Sequence, residues 1–142
     1  MDNEDYEHLI KWKWHDSHGY AKRIKTFSYK NHRIWSMQNE IMNPPIGKIV
    51  DHIDRNPLNN QKYNLRICTK SQNAINSKIS KNNSSGFNGV YWQKDAKKWR
   101  ARVKVNYKII HLGYFDNKIE AAKAYNKATK KYFGEFARLN DL

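Results

Sequence analysis

"VDHIDRNPLNNQKYNLRICTKSQNAIN", residues 50–76, sets an Asp directly before a His and follows the pair with asparagines. One reading is a polar loop rich in turns. The other is a site for hydrolysing a phosphate ester. Local signals give the stretch an order. "KIVDHID" reads as a short strand and "NLRICT" as a second one. "RNPLNNQKY" between them is a loop, because Pro57 has no backbone donor and the asparagines favour turns. Thr69 and Gln72 have the spacing of a capping box, which starts a helix near Lys70. Ile75 and Ile79 then fall one turn apart on its apolar face. Strand, loop, strand and helix follow in close succession.

The residue types fit phosphodiester chemistry. A base must activate water, a metal must neutralise charge on phosphate and leaving oxygen, and other groups must hold these in line. Neutral His is a base suited to neutral pH. Asp and Asn oxygens are hard ligands suited to magnesium or manganese. Asp51 and His52 are neighbours on a strand, so their side chains diverge. The other histidines, His8, His15, His18, His32 and His111, carry no such context, and Asn56, Asn59 and Asn60 read as turn residues.

The spacing Asp51-His52, Asn64, Asn73 resembles the HNH endonuclease motif, of the His-Asn-Asn kind. The wider "VDHIDRNPLNN…NLRICTKSQNAINSK" is similar to the HNH module of homing endonucleases from phages and introns. In that family the module is a ββα-metal finger, which agrees with the element order above. The resemblance implies His52 as general base and Asp51 and Asn73 as ligands of one divalent metal, Mg2+ or Mn2+. It implies that Asn64 holds the loop and orients His52. Asn76 is at most a helper. Many relatives add a cysteine-bound zinc; this chain has one cysteine, Cys68, so no structural zinc and no internal disulfide are expected.

Charge names the partner class. The 142 residues carry 27 Lys and Arg against 13 Asp and Glu, net +14. Residues 78–142 hold 15 basic and 5 acidic side chains, net +10. Such an excess predicts a polyanion as partner. No apolar run approaches membrane-spanning length, which makes nucleic acid the better candidate than a membrane surface. A reducing, intracellular setting is expected, the host cytoplasm if the chain is phage-encoded.

The C-terminal segment has the clearest periodicity. "NGVYWQ", "KWRARVKV" and "KIIHLGYF" read as three strands. In the second, Trp99, Ala101, Val103 and Val105 face one way and Arg100, Arg102 and Lys104 the other. "DNKIEAAKAYNKATKKYFG" reads as a helix, capped by Asn117 with Glu120 and stopped by Gly134. Its inner stripe is Ile119, Ala122, Tyr125, Thr129 and Tyr132. A helix over one sheet face leaves the basic face exposed. The pieces "HLGYFD", "EAAKAYNKA" and "FGEFARLN" of residues 86–140 resemble an Apetala-two-type DNA-binding domain. That resemblance implies a sheet laid in the major groove, with Tyr91, Gln93, Arg100, Arg102, Lys104, Ile109 and His111 facing the DNA. The plant domains carry Arg and Trp where this chain has Ile109 and His111, so their target sequence does not carry over.

The N-terminal segment is less telling. "NEDYEHLI" reads as a short helix and "KWKWHDSHGYAKRIKTFSY" as a hairpin with Trp12 and Trp14 on one face. "NHRIWSMQNEIM" has helical spacing at Ile34, Met37 and Ile41, with Asn31 as its cap. The expected fold class is α+β: a ββα-metal nuclease module, then a three-stranded antiparallel sheet packed on one helix. The expected parts are 1–47, an N-terminal region; 48–79, the nuclease motif; 80–86, a linker; and 87–142, the sheet-type domain. The expected function is a metal-dependent endonuclease acting on double-stranded DNA, leaving 5′-phosphate and 3′-hydroxyl ends. The alternatives are a non-catalytic DNA-binding regulator and an RNA-binding protein.

Overall fold

The computed structural model describes residues 1–28 and 31–142, and the chain divides into two compact units, Met1–Lys70 and Ser71–Leu142. The first opens with helix α1 (Asn3–Leu9), strand β1 (His15–Ser17) and strand β2 (Tyr20–Ser28). The β1–β2 turn is His18-Gly19, both at positive φ, and Asp16 Oδ1 accepts the Gly19 N–H at 2.8 Å. Positive φ at both central positions matches the twist of a tight hairpin. Trp12 and Trp14 precede β1 instead of lying in it. Both ring faces meet the buried Arg23 guanidinium, Trp12 at 3.9 Å and Trp14 at 5.7 Å. Arg23 also pairs with Glu40 at 2.8 Å. Burial raises the Glu40 pKa, but hydrogen bonds from His8 and Arg23 outweigh it and hold the carboxyl below its usual range.

"NHRIWS" is strand β3 (Asn31–Ser36), not the first half of a helix. It pairs antiparallel with β2, Ile24 opposite Ile34, and both isoleucines are exposed. The helical spacing of Ile34 with Met37 therefore marks no common face. The helix is confined to α2 (Met37–Met42) and ends on Asn43 in the left-handed conformation. The side chain of Asn31 and the end of the expected hairpin at Tyr29 lie outside the described residues. Strand β4 (Ile49–His52) then pairs antiparallel with β5 (Leu65–Cys68). Helix α3 (Lys70–Ile75) follows at the place the capping spacing marks. It stops at Ile75, so Ile79 lies beyond it. Ile75 joins the core of the second unit, with Val103, Tyr125 and Phe133.

In that unit β6 (Val90–Gln93), β7 (Lys98–Val105) and β8 (Lys108–Phe115) form an antiparallel meander, covered by α4 (Lys118–Phe133). Asn117 Oδ1 caps α4 by accepting the Ile119 N–H at 2.8 Å. The buried stripe of α4 is Ala121, Ala122, Tyr125, Thr129 and Phe133. Ile119 and Tyr132, expected inside, are exposed. The small Ala121 and Ala122 let the helix approach Val90 and Ala101 closely, which fixes its rotation. The 80–86 stretch, expected as a linker, is tied down. Asn83 Oδ1 accepts the Ser85 and Gly86 N–H, and the buried Ser85 Oγ lies 2.8 Å from both Asn83 Oδ1 and the Val90 carbonyl, either of which can accept its one hydrogen. Buried Asn140 closes the unit: its Oδ1 accepts the Asn88 N–H at 2.7 Å, and its Nδ2 donates to the Asn88 carbonyl at 3.1 Å.

Candidate active site

Asp51 and His52 end β4, and strand alternation sends their side chains to opposite faces. Both are buried. Arg66 lies opposite Asp51 on β5, and its Nε and Nη2 donate to Asp51 Oδ2 at 3.0 and 2.8 Å. A buried carboxylate is costly without a nearby positive charge, and Arg66 supplies it. On the other face, His52 Nε2 lies 3.1 Å from Oδ1 of Asn60, which is also buried. The Tyr20 ring meets the imidazole edge-on, with ring centres 6.2 Å apart.

The loop after β4 is organised around Asn64, which is 2% exposed. Its Oδ1 accepts the Asp54 N–H at 2.9 Å, and its Nδ2 donates to Asp54 Oδ1 and to the Asn59 carbonyl. Its own carbonyl accepts the Ile53 N–H. Both loop ends are thus stitched to one side chain. Asp54 is the second hub, accepting from Asn59 Nδ2 at 2.7 Å and from the Asn56 N–H at 2.8 Å. The Asn59 bond, then the Asn56 amide, holds the Asp54 carboxyl below its usual range. A folded pKa lowered in this way stabilises the loop fully above the unfolded value. The contribution fades as pH falls through the folded one, so the loop is at full strength at neutral pH.

Asp51, His52 and Asn64 belong to the first unit, and Asn73 sits on α3 in the second. Asn60 was legible only as a turn residue. Nothing in its spacing separates it from Asn56 or Asn59; its burial against His52 does.

A family model for HNH endonucleases matches residues 29–75, which hold Asp51, His52, Asn64 and Asn73. Protein 3.8 of Escherichia phage T7 is 35% identical over 106 residues, covering 75% of this chain and 85% of that protein. The uncharacterized HNH endonuclease L560 of Acanthamoeba polyphaga mimivirus is 32% identical over 141 residues, covering 94% of this chain and 70% of that protein. The chain belongs to the HNH endonuclease family.

The sheet of the second unit lies beyond the segment matched by the HNH model. Its register sorts the side chains into two faces. Val90 opposite Ala101 and Val103 opposite Ile110 point to α4. Tyr91 opposite Arg100, Gln93 opposite Lys98, Arg102 opposite His111 and Lys104 opposite Ile109 point away. All seven residues expected to face DNA therefore share one face of this sheet. A register shift after Ala101 adds Tyr114, opposite Arg100 and half exposed, which sequence alternation did not single out. The Arg102 guanidinium sits 4.4 Å from the Tyr91 ring centre, and Arg100 Nε is buried without a hydrogen-bond partner among the described residues. An open groove of about 560 Å³ is lined by Lys78, Asn82, Tyr91, Arg102 and Lys104 together with Val103 and Tyr125 of the α4-facing side. Among the described residues, no helix is long and apolar enough to cross a membrane.

Proposed function

We propose that this HNH family member is a metal-dependent, homing-type endonuclease that hydrolyses phosphodiester bonds in double-stranded DNA. The observation that carries the reading is the pair at the end of β4: a buried His beside a buried carboxylate, under a loop held by Asn64. His52 takes the proton from the attacking water. Asn64 keeps the loop over it. Asp51, with Asn73 assigned from its motif position, holds one Mg2+ or Mn2+. The donor set fits such an ion: a carboxylate and an amide oxygen are hard ligands, and magnesium keeps most of its shell as water. Arg66 already marks Asp51 as a place where positive charge is stabilising. When bound, the ion would neutralise charge on the phosphate and the leaving oxygen.

Residues 48–79 would carry the chemistry and residues 87–142 the DNA affinity, through an Apetala-two-like sheet. Outward arginines and Lys104 can meet phosphates or guanine edges. The orphaned Arg100 Nε supports this, since a buried donor without an acceptor is costly until a ligand supplies one.

The test is incubation of the full chain with supercoiled plasmid across a magnesium or manganese titration. Asp51→Ala and Asn73→Ala are each expected to move the titration midpoint upward. The shift should at least match the roughly 10–100-fold that loss of a ligand's outer partner costs. Unchanged midpoints in both variants would remove these residues from the metal site. For the sheet, Arg100→Ala and Arg102→Ala should each weaken DNA binding. Each should flatten the slope of log affinity against log salt by about 0.9 if the arginine neutralises one phosphate. An arginine that reads a base should instead relax preference at one position. Binding that is unaffected in both variants would remove the sheet as the reader.

A further inference from the structure

We infer that Asn60 is a positioning residue for His52: it fixes the imidazole proton on Nε2 and so makes Nδ1 the basic nitrogen. The inference rests on reading His52 as the base and names the group that prepares it. The geometry is specific. Asn60 is 2% exposed, and its Oδ1 lies 3.1 Å from His52 Nε2. A carbonyl oxygen can only accept, so the ring nitrogen facing it must carry hydrogen. The amide is oriented by a second contact, its Nδ2 lying 3.5 Å from the Leu58 carbonyl, which turns the oxygen toward the ring. The Asn60 N–H is held by the same carbonyl at 3.1 Å. The preceding residue is anchored as well, because the Asn59 carbonyl accepts from Asn64 Nδ2 at 2.8 Å.

The neutral ring has one protonated and one basic nitrogen, and a partner on one decides the role of the other. The groups around His52 are Asn60 in the loop, the Tyr20 ring on β2, the Asp54 carboxylate in the same loop, and Asp51 next in chain, itself paired to Arg66. Of these, Asn60 sets an amide oxygen 3.1 Å from Nε2. Its place in the chemistry is thus distinct from that of Asn64, whose side chain bonds Asp54 and Asn59 within the loop.

Long-range proton–nitrogen NMR on the full chain, with the ring neutral, reads the tautomer of His52 directly. The expected wild-type result is hydrogen on Nε2; a ring protonated on Nδ1 overturns the proposal without any variant. Asn60→Leu removes the acceptor at similar volume. It is expected to mix the two tautomers and to lower kcat by roughly 10–100-fold with KM nearly unchanged. Asn60→Asp keeps an acceptor oxygen, and should keep the Nε2–H tautomer and cleave faster than Asn60→Leu. Wild-type kcat in a folded Asn60→Leu protein overturns the proposal, as does loss of activity with the tautomer unmoved. Full cleavage by His52→Ala would instead sink the base reading itself, so the two failures are distinguishable.

Discussion

His52→Ala is expected to lower DNA cleavage by roughly 10²–10⁴-fold, the usual worth of a positioned general base, while DNA affinity stays within about twofold. The two effects separate because the proton transfer belongs to the chemical step, whereas affinity is assigned to the basic sheet, which begins at Val90. The side chain is buried against Asn60 and Tyr20, so its loss also leaves a small void. Melting curves of wild type and variant are therefore needed beside the assay. Rates are compared on supercoiled plasmid at saturating magnesium, and binding by gel shift at fixed salt. A folded His52→Ala protein that cuts at the wild-type rate would remove His52 as the base.

Gly89→Ala is expected to destabilise the second unit by roughly 2–5 kcal/mol, combining backbone strain with overpacking. Gly89 has φ +70°, which L side chains rarely adopt. An added Cβ would lie 2.1 Å from Tyr125 Cδ2, 2.3 Å from Cε2 and 2.5 Å from the Arg102 carbonyl. Two of those atoms belong to a ring packed in the core with Ile75, Val103 and Phe133, and the third is backbone. Neither can yield cheaply. Moving the ring opens the core; moving the chain breaks the Arg102 N–H bond to the Gly89 carbonyl, 2.9 Å long. Urea unfolding of the two proteins measures the difference. Adding Tyr125→Ala to Gly89→Ala should give a smaller loss than the two single changes summed, because one clash is shared. A single variant within about 1 kcal/mol of wild type would show that the ring and strand relax freely, against the close packing seen here.

Much of this molecule is written in local pattern. Alternation over "KWRARVKV" fixes which residues of β7 face α4, because strand side chains alternate whatever the strand pairs with. The asparagine cap of α4 and the start of α3 are legible for the same reason: each depends on residues within one turn. The Asp51-His52 pair is equally local, and its spacing to Asn64 and Asn73 carried the family resemblance that the comparisons upheld. Other features needed partners distant in sequence. Ile34 keeps helical spacing with Met37 and Ile41, yet hydrogen bonding to β2 makes it part of a strand. The rotation of α4, with Phe133 buried and Tyr132 exposed, was decided by the close approach of Ala121 and Ala122 to Val90 and Ala101. The asparagines show the division most clearly. Motif spacing sets Asn64 apart, but Asn56, Asn59 and Asn60 look alike in sequence, since an amide both donates and accepts and suits any turn. Which of these three reaches an imidazole is set by where the chain brings a partner within about 3 Å, and that is a property of the folded loop alone.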